Sequence, residues 1–412
     1  MPDDHRGTLL PVANARARIL AQVPVLAAET ADLSAIRGQV LAEDIHAGED
    51  VPPFANSAMD GFAVRAADVA GATVAQPIRL RVVMHLPAGA VAAHAIGPGE
   101  AARIMTGAML PPGADAVVMI EETDGGHAEV AIRRAARAGE NIRPQGESLR
   151  AGDLALARGT VLGPPHLGLL AMLGHARARV IRRPRVALFS TGDELVPPDE
   201  SPGPGKIRDS NRYGLSAQVA EFGAIPVDLG LTGDDPQRIR ALITRGLEAA
   251  DCLVTSGGVS VGDVDLTRRV LAEFGPIETM RVAMKPGMPQ AFGLAGDKPV
   301  FGLPGNPVSS MIVCDQFVRP ALRKMAGHAE LFRPRQWAAA AEPLRKPAGK
   351  THFLRAIVEH GAGRLTARLA GPQGSGILRS LVLANALVIL EPEVTQVAAG
   401  EMVPIELLGE PR

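Results

Sequence analysis

The chain of 412 residues is too long for one compact core, so about two to four domains are expected. Its 43 basic and 44 acidic side chains give a formal net charge of −1, and only 3% of its residues are aromatic, which argues against a nucleic-acid-binding surface. No run of 18 apolar residues occurs and the N-terminus lacks the apolar stretch of a signal peptide, so we expect a cytoplasmic protein without a membrane span.

The N-terminal part of the chain begins with a predicted helix and continues with short predicted strands. Residues 11–28 have helical spacing. Residues 73–145 contain short apolar runs separated by turns, a pattern typical of a small β domain. A further helix is predicted between Pro164 and Gly174, inside the passage 146–178, because proline is favoured at a helix start and glycine at a helix end.

The central block, residues 184–326, alternates strand and helix patterns. Its predicted strands are 185–192, 225–232, 251–258 and 298–305, and its predicted helices are 211–223, 235–249, 265–275 and 308–325. Strands separated by helices of this length predict a parallel sheet that is covered on both faces. The carboxyl ends of such strands are the usual place for a ligand.

The last piece of the chain, about 331–412, returns to short predicted strands at 351–360, 381–393 and 402–408. The expected fold class is therefore α/β plus β in several domains. Cys252 and Cys314 both lie in apolar runs, which favours buried reduced thiols over a disulfide or a metal-binding pair.

Two glycine-rich loops, at 253–265 and 300–313, each follow a predicted strand and precede a helix. Glycine lets backbone N–H groups face a ligand, and a helix that begins there adds unpaired amides and a positive dipole end. This combination predicts an anion site, most often for phosphate, although neither loop has the P-loop spacing. Asn306 is also a candidate helix cap. The candidate ligand-binding residues are Ser256, Gly257, Gly258, Ser260, Gly262, Pro304, Gly305, Asn306, Pro307 and Ser309.

Carboxylates follow three of the predicted strands: Asp193 and Glu194, Asp234 and Asp235, and Asp263 and Asp265. Oxygen ligands gathered beside a phosphate site suit Mg²⁺, which takes one or two carboxylates together with substrate oxygens. Asp235 and Asp263 also fit the role of simple helix caps. A functional role is favoured for Glu194, because a glutamate is not a usual cap.

Lys285 follows an apolar strand and precedes a Pro-Gly turn, where it could reach an anion or remain a surface lysine. Thr106 and the segment 57–60 would be interpreted as turns from their composition alone. No histidine spacing of a zinc site and no Ser-His-Asp or GxSxG pattern is present.

Six motifs in this order resemble the molybdopterin molybdenumtransferases, the molybdenum insertase family that includes the E domain of gephyrin. They are PPFANSAMDGFAVR (52–65), RIMTGAMLPPGADAVVMIEE (103–122), FSTGDEL (189–195), TSGGVSVGDVD (255–265), MKPG (284–287) and GLPGNPVSS (302–310). The resemblance runs from about residue 8 to residue 408, and motifs of this length are specific to the family.

The resemblance implies an elongated homodimer of multidomain subunits that inserts molybdate into adenylylated molybdopterin, releases AMP and uses Mg²⁺. It implies a domain division into an N-terminal helix (1–26), a linker domain (27–50 and 146–178), a small β domain (51–145), a molybdopterin-binding α/β domain (179–330) and a C-terminal β-barrel-like domain (331–412). The active site would form between the α/β domain of one subunit and the small β domain of the other. A molybdopterin adenylyltransferase and a molybdoenzyme-maturation protein are candidate partners.

The family's functional positions fall on particular residues of this chain. Catalytic roles fall on Asp60, Thr106, Glu194, Asp234, Asp265 and Lys285, metal binding falls on Asp265 and Glu194, and ligand binding falls on the glycine-loop residues and on Arg355. Met288 and Gln290 depart from a common family pattern after KPG. Two other functions remain open: a molybdopterin adenylyltransferase, and a molybdopterin-binding scaffold without catalysis. Tungstate in place of molybdate also remains open.

Overall fold

The computed structural model describes residues 9–257, 266–361 and 363–412, and the chain divides into two compact units. The first comprises the residues up to Ala42, Val161–Gly163 and Arg177–Arg412. The second comprises Glu43–Thr160 and Pro164–Ala176. Within the described part of the chain, no helix has the length and apolar character needed to cross a membrane.

A six-stranded sheet forms the centre of the first unit. Its order is Ile225–Thr232, Arg185–Thr191, Cys252–Ser256, Lys298–Leu303, Pro289–Ala295 and Ile277–Arg281. The first four strands are mutually parallel, as predicted, whereas Pro289–Ala295 is antiparallel to both of its neighbours. The sheet is therefore mixed at one edge, because the chain turns back directly between these last strands instead of crossing over through a helix.

Helices cover both faces of the central sheet. Successive side chains of a strand point to opposite faces, and both faces are buried, which explains the continuous apolar runs in the sequence. These helices are Val12–Gln22, Asn211–Glu221, Pro236–Ala249, Leu266–Leu271 and Pro307–Val313, the last continuing through a π-helical turn, Cys314–Val318, into Arg319–Met325. Val186 and Leu188 pack in one core cluster, and the alternating Ala187 and Phe189 pack in the cluster on the opposite face. The N-terminal helix ends at Gln22, earlier than predicted.

The two cysteines are free and fully buried in the core, which confirms the predicted reduced thiols among the described residues. Burial raises the pKa of both thiols well above the ordinary value. Elsewhere in the first unit, Ala28–Asp32 pairs with Arg177–Ile181, and a short ribbon pairs Leu195–Val196 with Ile207–Arg208.

The C-terminal part of the first unit is a small closed barrel. Its sheet runs in the order Met284–Lys285, Thr351–Gly361, Arg364–Leu369, Arg335–Ala340, Met402–Leu407 and Ala386–Leu390, and Ala386–Leu390 pairs back with Thr351–Gly361. Leu344–Arg345 pairs with Gln396–Val397. Part of the strand predicted at 381–393 is wrong, because Leu378–Leu383 is a helix and the strand begins at Ala386.

The second unit contains a five-stranded sheet, as the strand pattern of this region predicted. Its order is Ala116–Met119, Gly61–Val64, Glu100–Ile104, Ile78–Leu86 and Glu129–Ile132. Short pairs join Asn56–Ser57 to Ile142–Arg143 and Ile45–His46 to Leu154–Leu156. A helix spans Pro164–Met172, where proline and glycine predicted one, and short helical segments span Ala66–Val69 and Ile120–Glu122.

Candidate active site

A cleft of about 760 Å³ opens at the carboxyl ends of the parallel strands of the first unit. Eight residues that the sequence singled out line it: Glu194, Asp234, Ser256, Gly257, Pro304, Gly305, Asn306 and Pro307. They meet here because parallel strands end at the same edge of a sheet, although the residues come from four separate segments of the chain. The sequence-based expectation that the glycine loops and the carboxylates lie together is confirmed for these residues.

Backbone geometry positions the two exposed carboxylates of the cleft. Gly192 has a φ of +149°, and a Cβ built on it would lie 2.4 Å from Glu194 Oε2, so the glutamate side chain folds back over a backbone position that excludes a side chain. Asp193 Oδ1 accepts a hydrogen bond of 2.9 Å from the Asp234 backbone N–H. Asp193 therefore holds the loop that carries Asp234.

The capping predictions have different outcomes at two helix starts. Asp235 accepts hydrogen bonds from the N–H groups of Gln237 and Arg238, so it is a helix cap, one of the two roles left open for it. Asn306 occupies the N-cap position of the helix that begins at Pro307, but its side chain makes no capping hydrogen bond. The cap predicted at Asn306 is therefore present in the backbone alone.

The helix start after the second glycine loop has one of its first amides already bonded. Pro307 has no N–H, and the Val308 N–H donates to the carbonyl of Ser375 at 3.1 Å. The next turn closes normally, since the Ser310 N–H donates to Asn306 O at 2.9 Å. The helix start thus offers fewer amides to an anion than the sequence implied.

A second cavity, of about 620 Å³, borders the same helix start, since Ser309 lines it and Pro307 lines the cleft. Lys285, Met288, Ser309, Lys350 and Ser375 are among its lining residues, which include no carboxylate from the described part of the chain. Lys285 is exposed, and its short strand pairs with Thr351–His352 of the barrel. Lys285 therefore belongs to the barrel sheet.

The two departures from the family pattern occupy different environments. Met288 faces the lysine-lined cavity. Gln290 is buried, and its side-chain amide lies 3.8 Å from the sulfur of Met284. A substitution at Gln290 therefore concerns packing beneath the cavity, whereas Met288 borders the cavity itself.

Arg355 is 1% exposed and its guanidinium bonds to the protein itself. It donates to Ser380 Oγ at 3.1 Å, to Pro372 O at 3.3 Å and to Gly374 O at 3.0 Å. Burial lowers its pKa to about 10, so it remains a cation at neutral pH. Its bonds hold the loop that carries Ser375 and Gly376, while the predicted ligand-binding role of Arg355 stays a prediction.

Two predicted residues of the second unit bond directly to each other. Asp60 Oδ1 accepts from the Thr106 backbone N–H at 2.7 Å and from Thr106 Oγ1 at 2.8 Å. These two hydrogen bonds, the backbone one first, hold the pKa of Asp60 below its ordinary value. Both side chains are exposed. Asp60 is therefore an ionised carboxylate that Thr106 holds in a fixed orientation at the surface of the second unit.

Gly258, Ser260, Gly262, Asp263 and Asp265 lie outside the described residues, and so does the metal-binding role predicted for Asp265. Within residues 9–257, 266–361 and 363–412, no group of three or more histidine, cysteine or acidic side chains is arranged to hold a metal ion. Glu194 and Asp234 are the exposed carboxylates that these ranges contribute to the cleft.

Sequence patterns missed Asn211 and Arg208, which also line the cleft. Asn211 opens the helix Asn211–Glu221, and Arg208 ends the short ribbon before it. A polar residue at the start of a helix that follows a strand edge is the one signal that could have identified Asn211.

The fold and the cleft define a multidomain protein with an α/β ligand-binding domain, and comparisons with known proteins give its family. Models described as "MoeA N-terminal region (domain I and II)", "Probable molybdopterin binding domain" and "MoeA C-terminal region (domain IV)" match residues 10–174, 187–324 and 338–408. Molybdopterin molybdenumtransferase 2 of Mycobacterium tuberculosis is 41% identical over 382 residues, covering 91% of this chain and 94% of that protein.

Further comparisons agree over most of the chain. The molybdopterin molybdenumtransferase of Bacillus subtilis is 38% identical over 375 residues, covering 90% of this chain and 87% of that protein. The solved structure of the molybdopterin biosynthesis moeA protein from Pyrococcus horikoshii OT3 is similar with a TM-score of 0.81 and 30% identity, covering 97% of this chain and 100% of that one. The chain belongs to the molybdopterin molybdenumtransferase family, and the predicted family and fold class are confirmed.

Proposed function

We propose that this protein inserts molybdenum, delivered as molybdate, into adenylylated molybdopterin with release of AMP and the assistance of Mg²⁺. The observation that carries the proposal is the pairing of two cavities along one helix start. One is bordered by Glu194, Asp234 and the glycine loops, and the other is bordered by Lys285 and Lys350, with no carboxylate from residues 9–257, 266–361 and 363–412. Membership of the family supports the proposed substrates.

Charge explains why this reaction needs two such cavities. Molybdate is a dianion and the adenylylated pterin carries phosphates, so the two substrates repel each other at short range. Lysine side chains offset the charge of one anion, and a backbone rich in glycine lets the other approach main-chain N–H groups. Lys285 and Ser309 would bind the oxyanion, and Ser256, Gly257 and Gly305 would border the phosphates.

The residues of the cleft fit Mg²⁺ by their chemistry. Glu194 and Asp234 are exposed carboxylates on one cleft, and Mg²⁺ takes one or two carboxylates while keeping positions for phosphate oxygens. When bound there, Mg²⁺ would offset negative charge on the phosphoanhydride. Asp265 remains part of the proposed metal site on the strength of the sequence.

We further propose a homodimer in which Asp60 and Thr106 of one subunit complete the cleft of the other. The pair is exposed and its carboxylate has a fixed orientation. A side chain that binds a ligand held by another subunit needs both properties. A dimer of this kind has two identical sites related by symmetry. The cytoplasm, where the substrates would be made, is the proposed location, with a molybdopterin adenylyltransferase as supplier and a molybdoenzyme-maturation protein as recipient.

Reconstitution tests the activity. Purified protein is mixed with adenylylated molybdopterin, Mg²⁺ and molybdate, and AMP release and active cofactor are followed together. AMP release that requires molybdate supports the proposal, and omission of Mg²⁺ should abolish it. Formation of adenylylated pterin from ATP and molybdopterin would instead identify an adenylyltransferase. Retention of the adenylylated pterin without AMP release would identify a scaffold.

Complementation between two inactive variants tests the shared site. Asp60→Asn and Glu194→Gln are co-expressed, so that some dimers contain one subunit of each kind. A site built from two subunits is intact once in such a heterodimer, and random pairing should restore about a quarter of the wild-type activity. A site built within one subunit would be damaged in both subunits, and no activity would return.

A further inference from the structure

Asn211 bridges the two glycine loops of the cleft. Its side-chain Nδ2 donates to Ser256 Oγ at 2.8 Å and to the carbonyl of Gly305 at 2.7 Å. These acceptors lie 45 and 94 residues further along the chain, one at the last residue of a strand of the central sheet and the other just after a different strand. One amide group therefore joins three segments that the chain reaches separately.

The orientation of the Asn211 amide follows from its partners. A main-chain carbonyl can only accept, so the group that lies 2.7 Å from Gly305 O is the NH₂ group. The same NH₂ group donates to Ser256 Oγ, which leaves the hydroxyl proton of Ser256 to point elsewhere. Among the described residues, the further hydroxyl near Ser256 Oγ is Ser310 Oγ at 3.5 Å, at the long limit for such a bond, so these residues leave the proton to a ligand in the cleft.

The two loops also contact each other directly. The Gly257 N–H donates to Leu303 O at 3.1 Å. A Cβ built on Gly305 would lie 3.8 Å from Gly257 Cα, so the two backbones run close together at this point. Gly257 has a φ of +91°, a conformation suited to glycine. The loops thus form one continuous wall of the cleft, and the Asn211 side chain connects them through its two hydrogen bonds.

We propose that Asn211 is a positioning residue that fixes the spacing of the two glycine loops and directs the Ser256 hydroxyl proton into the cleft toward an anionic oxygen of the substrate. The ligand class is a phosphate-bearing molecule, which rests on the function proposed above. Asn211 acts through Ser256 and Gly305, and its removal leaves the Ser256 hydroxyl free to rotate away from the ligand.

A double-mutant cycle on binding tests this role. The dissociation constant for adenylylated molybdopterin is measured for the wild type, Asn211→Ala, Ser256→Ala and the double variant. A hydrogen bond from a hydroxyl to a charged oxygen implies about a tenfold weakening for each single variant. Because the effect through Ser256 is already lost in Ser256→Ala and only the bond to Gly305 remains to be removed, the double variant should bind within about threefold of Ser256→Ala alone.

Gln218→Ala is the matched control, because it removes a similar bond from the same helix. The Gln218 side chain donates to the carbonyl of Met311 at 3.2 Å, and Gln218 is not among the residues that line the cleft. Gln218→Ala should lower thermal stability without changing the dissociation constant. Equal weakening by Gln218→Ala would indicate a general effect on folding and would overturn the positioning role.

Asn211→Asp provides a second variant of the same size if Asn211→Ala folds poorly. Its carboxylate accepts from Ser256, which turns the hydroxyl proton away from the ligand and places two acceptors together at Gly305 O. Its added charge acts in any background, whereas its effect on Ser256 disappears in the Ser256→Ala background. The aspartate should therefore weaken binding more in the wild-type background than in Ser256→Ala.

Two results would overturn the inference about Asn211. The first is a dissociation constant for Asn211→Ala equal to that of the wild type. The second is fully multiplicative weakening in the double variant. Should the wild type fail to bind adenylylated molybdopterin, the proposed function fails, and the same cycle with pyrophosphate as the probe still tests Asn211. Failure of the wild type to bind pyrophosphate as well would overturn the inference.

Discussion

The cleft of the first unit and the Asp60–Thr106 pair of the second unit hold their carboxylates in different ways. Glu194 and Asp234 are positioned by neighbouring residues, since Glu194 folds over Gly192 and the Asp234 N–H bonds to Asp193. Asp60 is instead held by hydrogen bonds from the backbone N–H and the hydroxyl of Thr106. The carboxylates of the cleft therefore depend on the conformation of the loops that carry them. In the Asp60–Thr106 pair, one member of the pair fixes the other directly.

Sheet topology explains this difference. In the second unit, Gly61 is the register partner of Ile104 in antiparallel strands, which brings Asp60 and Thr106 to the same end of one strand pair. In the first unit, parallel strands are joined through helices, so the loops at their carboxyl ends come from distant parts of the chain. Loops of that kind need hydrogen bonds from other segments to fix their spacing, and Asn211 provides two of them.

The largest expected effect is the loss of activity when the charge of Glu194 is removed. Glu194→Gln keeps the shape of the side chain and removes its charge, so the rate of AMP release should fall by about 100-fold if the charge acts in the reaction. Glu200→Gln, an exposed position in the same segment, is the control and should keep the wild-type rate. Wild-type activity in Glu194→Gln would show that the exposed carboxylates of the cleft do not act as proposed.

The next effect concerns the backbone beneath Glu194. Gly192→Ala places a Cβ 2.4 Å from Glu194 Oε2 and forces an alanine to a φ of +149°. Strain of this kind costs about 1–3 kcal/mol, and the displaced carboxylate should lower activity as well. The free energy of unfolding in urea and the rate of AMP release measure the two consequences.

Gly203→Ala is the control for the alanine at Gly192. Gly203 belongs to the same segment between strand and helix, and a Cβ on it meets open space. It should change neither stability nor activity by a measurable amount. If both alanines behave alike, the close approach of Glu194 to Gly192 does not position the carboxylate.

A smaller effect separates the two helix starts beside the cleft. Asp235→Ala removes a side chain that caps its helix by accepting from Gln237 and Arg238, and should cost about 1 kcal/mol of folding free energy. Asn306→Ala should cost less, because the Asn306 side chain makes no capping bond. Equal losses in thermal or urea unfolding would contradict this distinction.

The smallest expected effect is a change in the pKa of Asp60 when the hydroxyl of Thr106 is removed. Thr106→Val removes the hydroxyl donor to Asp60 and leaves the backbone N–H donor in place, so the pKa of Asp60 should rise toward its ordinary value. As the pH falls, the variant should therefore lose the Asp60 charge at a higher pH than the wild type. A carboxyl carbon NMR titration of Asp60 measures the shift.

Thr123→Val serves as the control for this titration. The Thr123 hydroxyl donates to Ile120 O in the same unit, and it is not one of the groups that bond to Asp60. Its Asp60 titration should match the wild type. An unchanged Asp60 pKa in Thr106→Val would mean that the backbone bond alone sets the orientation and charge of this carboxylate.

Much of the fold could be predicted because its signals are local. The strand Ile225–Thr232 coincides with its prediction, and the helix Pro236–Ala249 begins one residue later than predicted. Apolar runs mark strands buried on both faces, and periodic apolar positions mark helices. The strand Pro289–Ala295 and two strands of the barrel, Arg335–Ala340 and Arg364–Leu369, were not predicted, since their residues share no comparably regular pattern.

The sequence by itself determined the family, the order of the elements and the strand ends at which the cleft opens, because long motifs and local periodicity carry that information. The tertiary structure decided which groups remain free within the cleft. The Val308 N–H bonds to Ser375 O, Arg355 bonds to the loop before Ser375, and Asn211 joins two loops. Such partners come from distant parts of the chain, and a hydrogen bond between distant residues leaves no periodic signal in either segment.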